Sequence, residues 1–174
     1  MMDRAELHRM IRVDQAGEFG ATRIYEGQLA VMGDRGPHSA EIRHMAEQEK
    51  AHRAKFDALL AERGVRPTAL HPLWSVAGYA LGAGTALLGP EAAMACTAAV
   101  EEEIDKHYTE QLERLQDTGA DPELAELIEA FREEEREHRD SALANGAERA
   151  PAYPLLAGAI RLGCRIAIKV SERV

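Results

Sequence analysis

Thiols, aromatic rings and positive charge are what this sequence has least of. Its two cysteines, Cys96 and Cys164, stand far apart, each in an apolar run. That spacing argues against a disulfide or a thiolate metal site and points to buried free thiols in a reducing compartment. Aromatic residues make up only 5% of the 174, against abundant Ala, Leu, Glu and Arg, which favours helix. A net charge of −9 excludes a general nucleic-acid binder, which needs basic surface to replace phosphate counterions. The deficit is uneven: residues 151–174 hold Arg161, Arg165, Lys169 and Arg173 against Glu172, a balance of +3, so residues 1–150 carry −12. No Gly-x-Gly-x-x-Gly stretch or flavin motif occurs, which excludes a nicotinamide held in its usual fold. The opening Met1-Met2-Asp3-Arg4-Ala5-Glu6 is neither an apolar signal region nor an acid-poor transit peptide. The expectation is a protein that stays where it is made.

What is present is helical periodicity. Leu7, Ile11, Asp14, Glu18, Ala21, Tyr25, Leu29 and Met32 recur at steps of three and four, predicting a helix over 3–32. Ile42, Met45, Glu49, His52, Phe56 and Leu59 predict a second over 39–63, with Ser39 as its cap. Met94, Thr97, Glu101, Ile104, Tyr108, Leu112 and Leu115 predict a third over 91–117. Leu124, Ile128, Phe131, Glu135, His138 and Ala142 predict a fourth over 122–144. Further elements are expected over 68–90 and 151–173. The fold class is all-α, one domain over 1–174.

The stripes contain polar residues where apolar ones would pack, and these repeat. Glu47, Glu49, His52 and Arg53 align with Glu133, Glu135, His138 and Arg139; Glu18, Tyr25 and Gln28 align with Glu101, Tyr108 and Gln111. The chain therefore reads as two copies of one unit, a helix carrying Glu and then a helix carrying Glu-x-x-His. Burying four carboxylates is costly without cations, and two divalent ions balance their charge. One imidazole and several carboxylate oxygens per ion suit iron or manganese. The set is Glu18, Glu49, His52, Glu101, Glu135 and His138. Glu41 and His44 have the same spacing but lie about 80° off the stripe and serve as a control. Glu102, Glu103, Glu133, Glu134 and Glu137 are assigned to the surface. Tyr25 and Tyr108 are core residues or partners of the ligands or substrate. His107 is a surface residue, with a relay role as the alternative. Gly17 and Gly20 flank Glu18 in mid-helix, and the expectation is that they leave room for O₂ or a substrate ring.

The ligand pattern is that of ferritin-like di-iron four-helix bundles. Over nearly its whole length the chain also resembles the demethoxyubiquinol hydroxylase family of ubiquinone biosynthesis. The resemblance rests on Arg12-Val13-Asp14-Gln15-Ala16-Gly17-Glu18-Phe19-Gly20-Ala21, Ala95-Cys96-Thr97-Ala98-Ala99-Val100-Glu101-Glu102, Ala150-Pro151-Ala152-Tyr153-Pro154, Gly163-Cys164-Arg165-Ile166-Ala167 and Ser171-Glu172-Arg173. It implies an O₂-dependent monooxygenase with two iron ions on the same six residues. It also implies a polyprenylated benzoquinol substrate and electrons from NADH, the quinol or a reductase. The alternatives are a ferritin-like ferroxidase or peroxidase, and a non-enzymatic quinone or lipid carrier.

From Pro67 to Pro90 the sequence has no Asp, Glu, Lys or Arg, a run long enough to span a bilayer. A single crossing would separate Glu18, Glu49 and His52 from Glu101, Glu135 and His138, so the segment is expected to return to its own side. Together with the cation-edged helix over 151–173, it is read as a peripheral membrane surface. The expected location is the cytoplasmic face of a bacterial inner membrane, or the matrix side of the mitochondrial inner membrane for a mature organellar form. Assembly as a homo-oligomer or within a biosynthetic complex is the remaining partner expectation.

Overall fold

Asp3 opens the first helix by accepting the Glu6 amide at 2.7 Å, which satisfies one of the amides a helix start leaves free. In the computed structural model, which describes residues 2–173, this helix is α1, Arg4–Met32. It is followed by α2 (Ser39–Arg63), α3 (His71–Leu87), α4 (Pro90–Thr118) and α5 (Pro122–Ala144), then a 3-10 turn at Ala147–Arg149 and α6 (Tyr153–Ser171). No strand occurs among the described residues. Ser39 does not cap α2. His38 takes that position, in the left-handed region at φ 64°, and Ser39 is the buried first residue of the helix with no hydrogen bond from its hydroxyl.

α1 and α2 form one antiparallel hairpin, α4 and α5 another, and together they make an all-α ferritin-like bundle. The stripes read from the sequence face inward as expected. They supply two apolar clusters, one around Tyr25, Ile42, Met45 and Met94, the other around Ile11, Phe56, Tyr108, Leu112 and Ile128. The in-stripe acids and histidines fall between the two clusters in sequence on every helix.

α3 lies along α1 through small residues. A Cβ on Gly82 would sit 1.9 Å from the Ile24 carbonyl oxygen, and one on Gly27 would sit 2.2 Å from that of Tyr79. These glycines let the two backbones touch. At Gly17 and Gly20 a Cβ would meet nothing within 4 Å, so packing does not require glycine there. α6 packs on α4, burying Ala157 and Ile160 and turning Leu155, Leu162 and Ile166 outward. Its cations are only partly free: Arg161 pairs with Glu102 at 2.7 Å, and Arg165 approaches Glu103 at 3.8 Å. No helix among the described residues is long and apolar enough to cross a membrane. Both cysteines are free thiols. Burial, the largest influence on each, pushes both up to about 12.

Candidate metal centre

Helical spacing places Glu49 and His52 on one face of α2, and Glu135 and His138 on one face of α5. α1 and α4 each add one carboxylate, Glu18 and Glu101. The structure brings all six side chains together, and none is more than 3% exposed. They form two overlapping sets, Glu18, Glu49, His52 and Glu135, and Glu49, Glu101, Glu135 and His138. Within each set one donor atom per residue lies within 4.8 Å of the others. Glu49 and Glu135 belong to both, which makes them the shared carboxylates. Glu41 and His44 are outside this group; His44 is exposed and Glu41 accepts from Ser141.

The donors are arranged for cations. Both oxygens of Glu49 lack a hydrogen-bond partner, as do Glu18 Oε2, Glu101 Oε2, Glu135 Oε2 and His138 Nδ1. His138 Nδ1 lies 3.2 Å from Glu49 and 3.3 Å from Glu135, while its Nε2 meets Gln48 Oε1 at 3.0 Å. The Gln48 oxygen only accepts, so the ring proton sits on Nε2 and the bare Nδ1 lone pair faces carboxylate oxygens. Such a facing pair repels unless a positive ion stands between. The residues therefore fit two divalent ions: all donors are oxygen or imidazole, and the four carboxylates match the charge.

Without an ion, protons must take that role. Burial, reinforced by Glu135, pushes Glu49 well above the usual carboxylate range, and burial together with Glu135 does the same to Glu101. Burial opposes charging His52, but hydrogen bonds to Glu135 and Glu18 prevail and raise it to about 11. Burial draws His138 below its ordinary value. Glu18 also feels burial, which His52 outweighs, leaving it lowered.

The tyrosines bind across the halves. Tyr25 donates to Glu101 at 2.7 Å and Tyr108 donates to Glu18. Burial first, and the nearby carboxylates second, keep both phenols protonated, so they remain donors. One step out, Gln28 donates to the Ala93 carbonyl at 3.0 Å and approaches Thr97, while Gln111 donates to Asp14 at 2.8 Å. His107 is mostly buried rather than on the surface. It reaches Asp14 at 3.2 Å and touches none of the six.

Three acids assigned to the surface are partly or wholly covered, among them Glu102, which is 32% exposed and paired with Lys106 and Arg161. Glu103 is 4% exposed and held by Lys106 at 3.1 Å. Glu134 is half-buried and accepts from His52 Nε2 at 3.0 Å. Gln48, Glu134 and Asp14 had a signal in the sequence: each lies four residues before an in-stripe His or Glu, on the same helical face.

Nearly the whole length of the chain is matched among known proteins. The family described as ubiquinone biosynthesis protein COQ7 matches residues 5–171. A Rhodospirillum rubrum protein named 3-demethoxyubiquinol 3-hydroxylase is 59% identical over 170 residues, 98% of this chain and 79% of that protein. The human NADPH-dependent 3-demethoxyubiquinone 3-hydroxylase, mitochondrial, is 53% identical over 175 residues, 99% of this chain and 80% of its own. The Saccharomyces cerevisiae 5-demethoxyubiquinone hydroxylase, mitochondrial, is 43% identical over 184 residues, 98% of this chain and 79% of its own. With a family match that leaves only a few terminal residues outside it, and relatives this similar from end to end, the chain belongs to the COQ7 family of ubiquinone biosynthesis proteins.

Proposed function

We propose that this chain, a hydroxylase of ubiquinone biosynthesis by its family, holds two iron ions through Glu18, Glu49, His52, Glu101, Glu135 and His138. In this reading residues 1–174 act as one ferritin-like domain that uses O₂ to hydroxylate a polyprenylated demethoxyubiquinol at a membrane surface. The observation that carries it is the pair of overlapping carboxylate–histidine sets sharing Glu49 and Glu135. Iron bound there supplies the activation of O₂ that ring hydroxylation needs. The protein's part is positional: Tyr25 and Tyr108 fix the terminal carboxylates, and the flanking apolar clusters keep water from the centre. Electrons come from an external donor, a reduced nicotinamide or a reductase; the human relative's name makes that protein NADPH-dependent.

A substrate with a prenyl tail stays in lipid, so the enzyme must come to it. Leu73, Val76 and Leu87 on α3 and Leu155, Leu162 and Ile166 on α6 point their apolar side chains outward. The two helices meet where the Trp74 indole donates to Ser171 at 3.1 Å. Lys169 and Arg173 are exposed beside the α6 residues. An apolar face edged with cations suits an anionic bilayer surface, either the cytoplasmic face of a bacterial inner membrane or the matrix face of a mitochondrial one.

The test is anaerobic loading with ferrous iron, then isotopically labelled O₂ and a demethoxyubiquinol analogue, with products read by mass spectrometry. One labelled oxygen atom in the quinol is expected. Iron oxidation with no quinol product would contradict the reading. For the surface, flotation with anionic liposomes should weaken in a Leu162→Ser/Ile166→Ser variant, and equal flotation would count against it.

A further inference from the structure

The two hairpins repeat each other closely around the centre, and one place where they part is the residue before each Glu-x-x-His. There α2 has Gln48 and α5 has Glu134. Each reaches the histidine of the other hairpin: His52 Nε2 lies 3.0 Å from Glu134 Oε2, and His138 Nε2 lies 3.0 Å from Gln48 Oε1. The Gln48 amide nitrogen then donates to Glu134 Oε2 at 3.0 Å, joining the two rings through one chain. With Glu134 ionised, the chain closes when both histidines carry their proton on Nε2, because a carboxylate and an amide oxygen only accept. The His138 Nδ1 lone pair then faces the shared Glu49 and Glu135, and that of His52 faces the shared Glu135 at 3.0 Å and the terminal Glu18 at 3.6 Å.

We propose that Gln48 and Glu134 are positioning residues that make the two metal positions unequal, the ion beside His52 being held more tightly than the ion beside His138. The inference rests on the two-metal reading above. The chemistry follows from the partner of each ring. An imidazole N–H donated to a carboxylate forms a charge-assisted bond that makes the opposite nitrogen a stronger donor to a metal. An N–H donated to a neutral amide does so less. Glu134 also places its negative charge on the His52 side, whereas Gln48 brings none to the His138 side. The remaining donors are matched: each set has one terminal carboxylate bonded by a tyrosine, plus the same two shared carboxylates.

The test uses Mn²⁺ as probe, with one equivalent added to the metal-free protein and anomalous diffraction reporting occupancy at each position. In the wild type the position beside His52 should be filled about tenfold in preference. The exchange variant Gln48→Glu/Glu134→Gln keeps the net charge and runs the same hydrogen-bond chain in reverse, and its preference should move to His138. Equal occupancy in the wild type, or a preference that the exchange leaves in place, would overturn the proposal. Glu134→Gln alone gives a second reading in solution. Its first Mn²⁺ affinity, followed by electron paramagnetic resonance, should fall about tenfold with the second affinity unchanged, and an unchanged first affinity would overturn it. Two ions bound equally would sink only the inequality. No manganese at either position would sink the two-metal reading and this inference with it.

Discussion

The α1–α2 and α4–α5 hairpins invite comparison residue by residue. Each supplies two carboxylates and one histidine to the centre, and each sends a tyrosine across to the other's terminal carboxylate. The match continues one step out, where Gln28 reaches Thr97 and Gln111 reaches Asp14, the residues four before Glu101 and Glu18. Beyond that the halves diverge: Thr97 stands opposite Asp14, Ile24 opposite His107, and Gln48 opposite Glu134. Atoms that would touch the ions are duplicated, as are the tyrosines that bond the terminal carboxylates, whereas the partners of the two histidines and the residues that Gln28 and Gln111 reach are not. The comparison teaches that the pair of hairpins builds the site while its partners make the two sides different.

The largest effect should come from breaking what both halves share. Glu49→Gln removes one of the two shared carboxylates and should lower metal affinity by about 100-fold or more. The same change should raise the melting temperature of the metal-free protein, because an amide needs no proton to be buried there, whereas burial and Glu135 force the Glu49 carboxyl to take one up on folding. Calorimetry with and without metal checks both signs.

pH probes the difference between the two histidines. His52 rises to about 11 in the folded metal-free protein, so between its unfolded value near 6.5 and about 11 the folded state keeps a proton that the unfolded state has lost. Its stabilisation is whole below pH 6.5 and declines as pH rises; the raised Glu49 and Glu101 act in the same direction. His138, lowered by burial, is neutral in both states above pH 7. Metal-free stability measured by urea unfolding should therefore fall from pH 7 to 9, with a limit of about 1.4 kcal/mol per pH unit for each proton retained. Bound metal should flatten the slope by replacing the His52 proton. A flat profile in the metal-free protein would show His52 to be neutral like His138.

Between the repeated elements and the unrepeated α3, Gly82→Ala draws the line. With the Ile24 carbonyl so close, the methyl must push α3 off α1, at a cost of about 1–3 kcal/mol. Two metals per chain should still bind. Loss of metal together with stability would show that α3 supports the centre directly.

Tyr25→Phe and Tyr108→Phe should have small and equal effects, each lowering metal affinity about tenfold. Unequal effects would mean that the crosswise bonds do not play the same role on the two sides.

The repeat made most of this legible in the sequence. Six polar residues sat in apolar stripes at matched positions, and burial of a carboxylate is improbable enough that four such coincidences mark a site. The same logic failed for Glu134 and Glu103. Glu103 lies about 200° around the helix from Glu101, and Glu134 lies about 100° from Glu135 but only about 40° from His138, at the edge of the stripe, where spacing along one helix does not decide which way a side chain faces. Which neighbouring helix covers that direction is a tertiary fact: α2 and its His52 lie over Glu134, and α6 with Arg165 lies over Glu103. The glycines of α3 were visible as a run without charges, but their part in backbone contact with α1 depends on helix pairing that local sequence does not encode.

Anaerobic iron loading followed by metal analysis and Mössbauer spectroscopy asks whether the duplicated hairpins gather two ions through the carboxylates they share. The expected result is two irons per chain, coupled as a pair in the wild type, and none retained by Glu135→Ala. One iron per chain, or a full complement retained without Glu135, would contradict it.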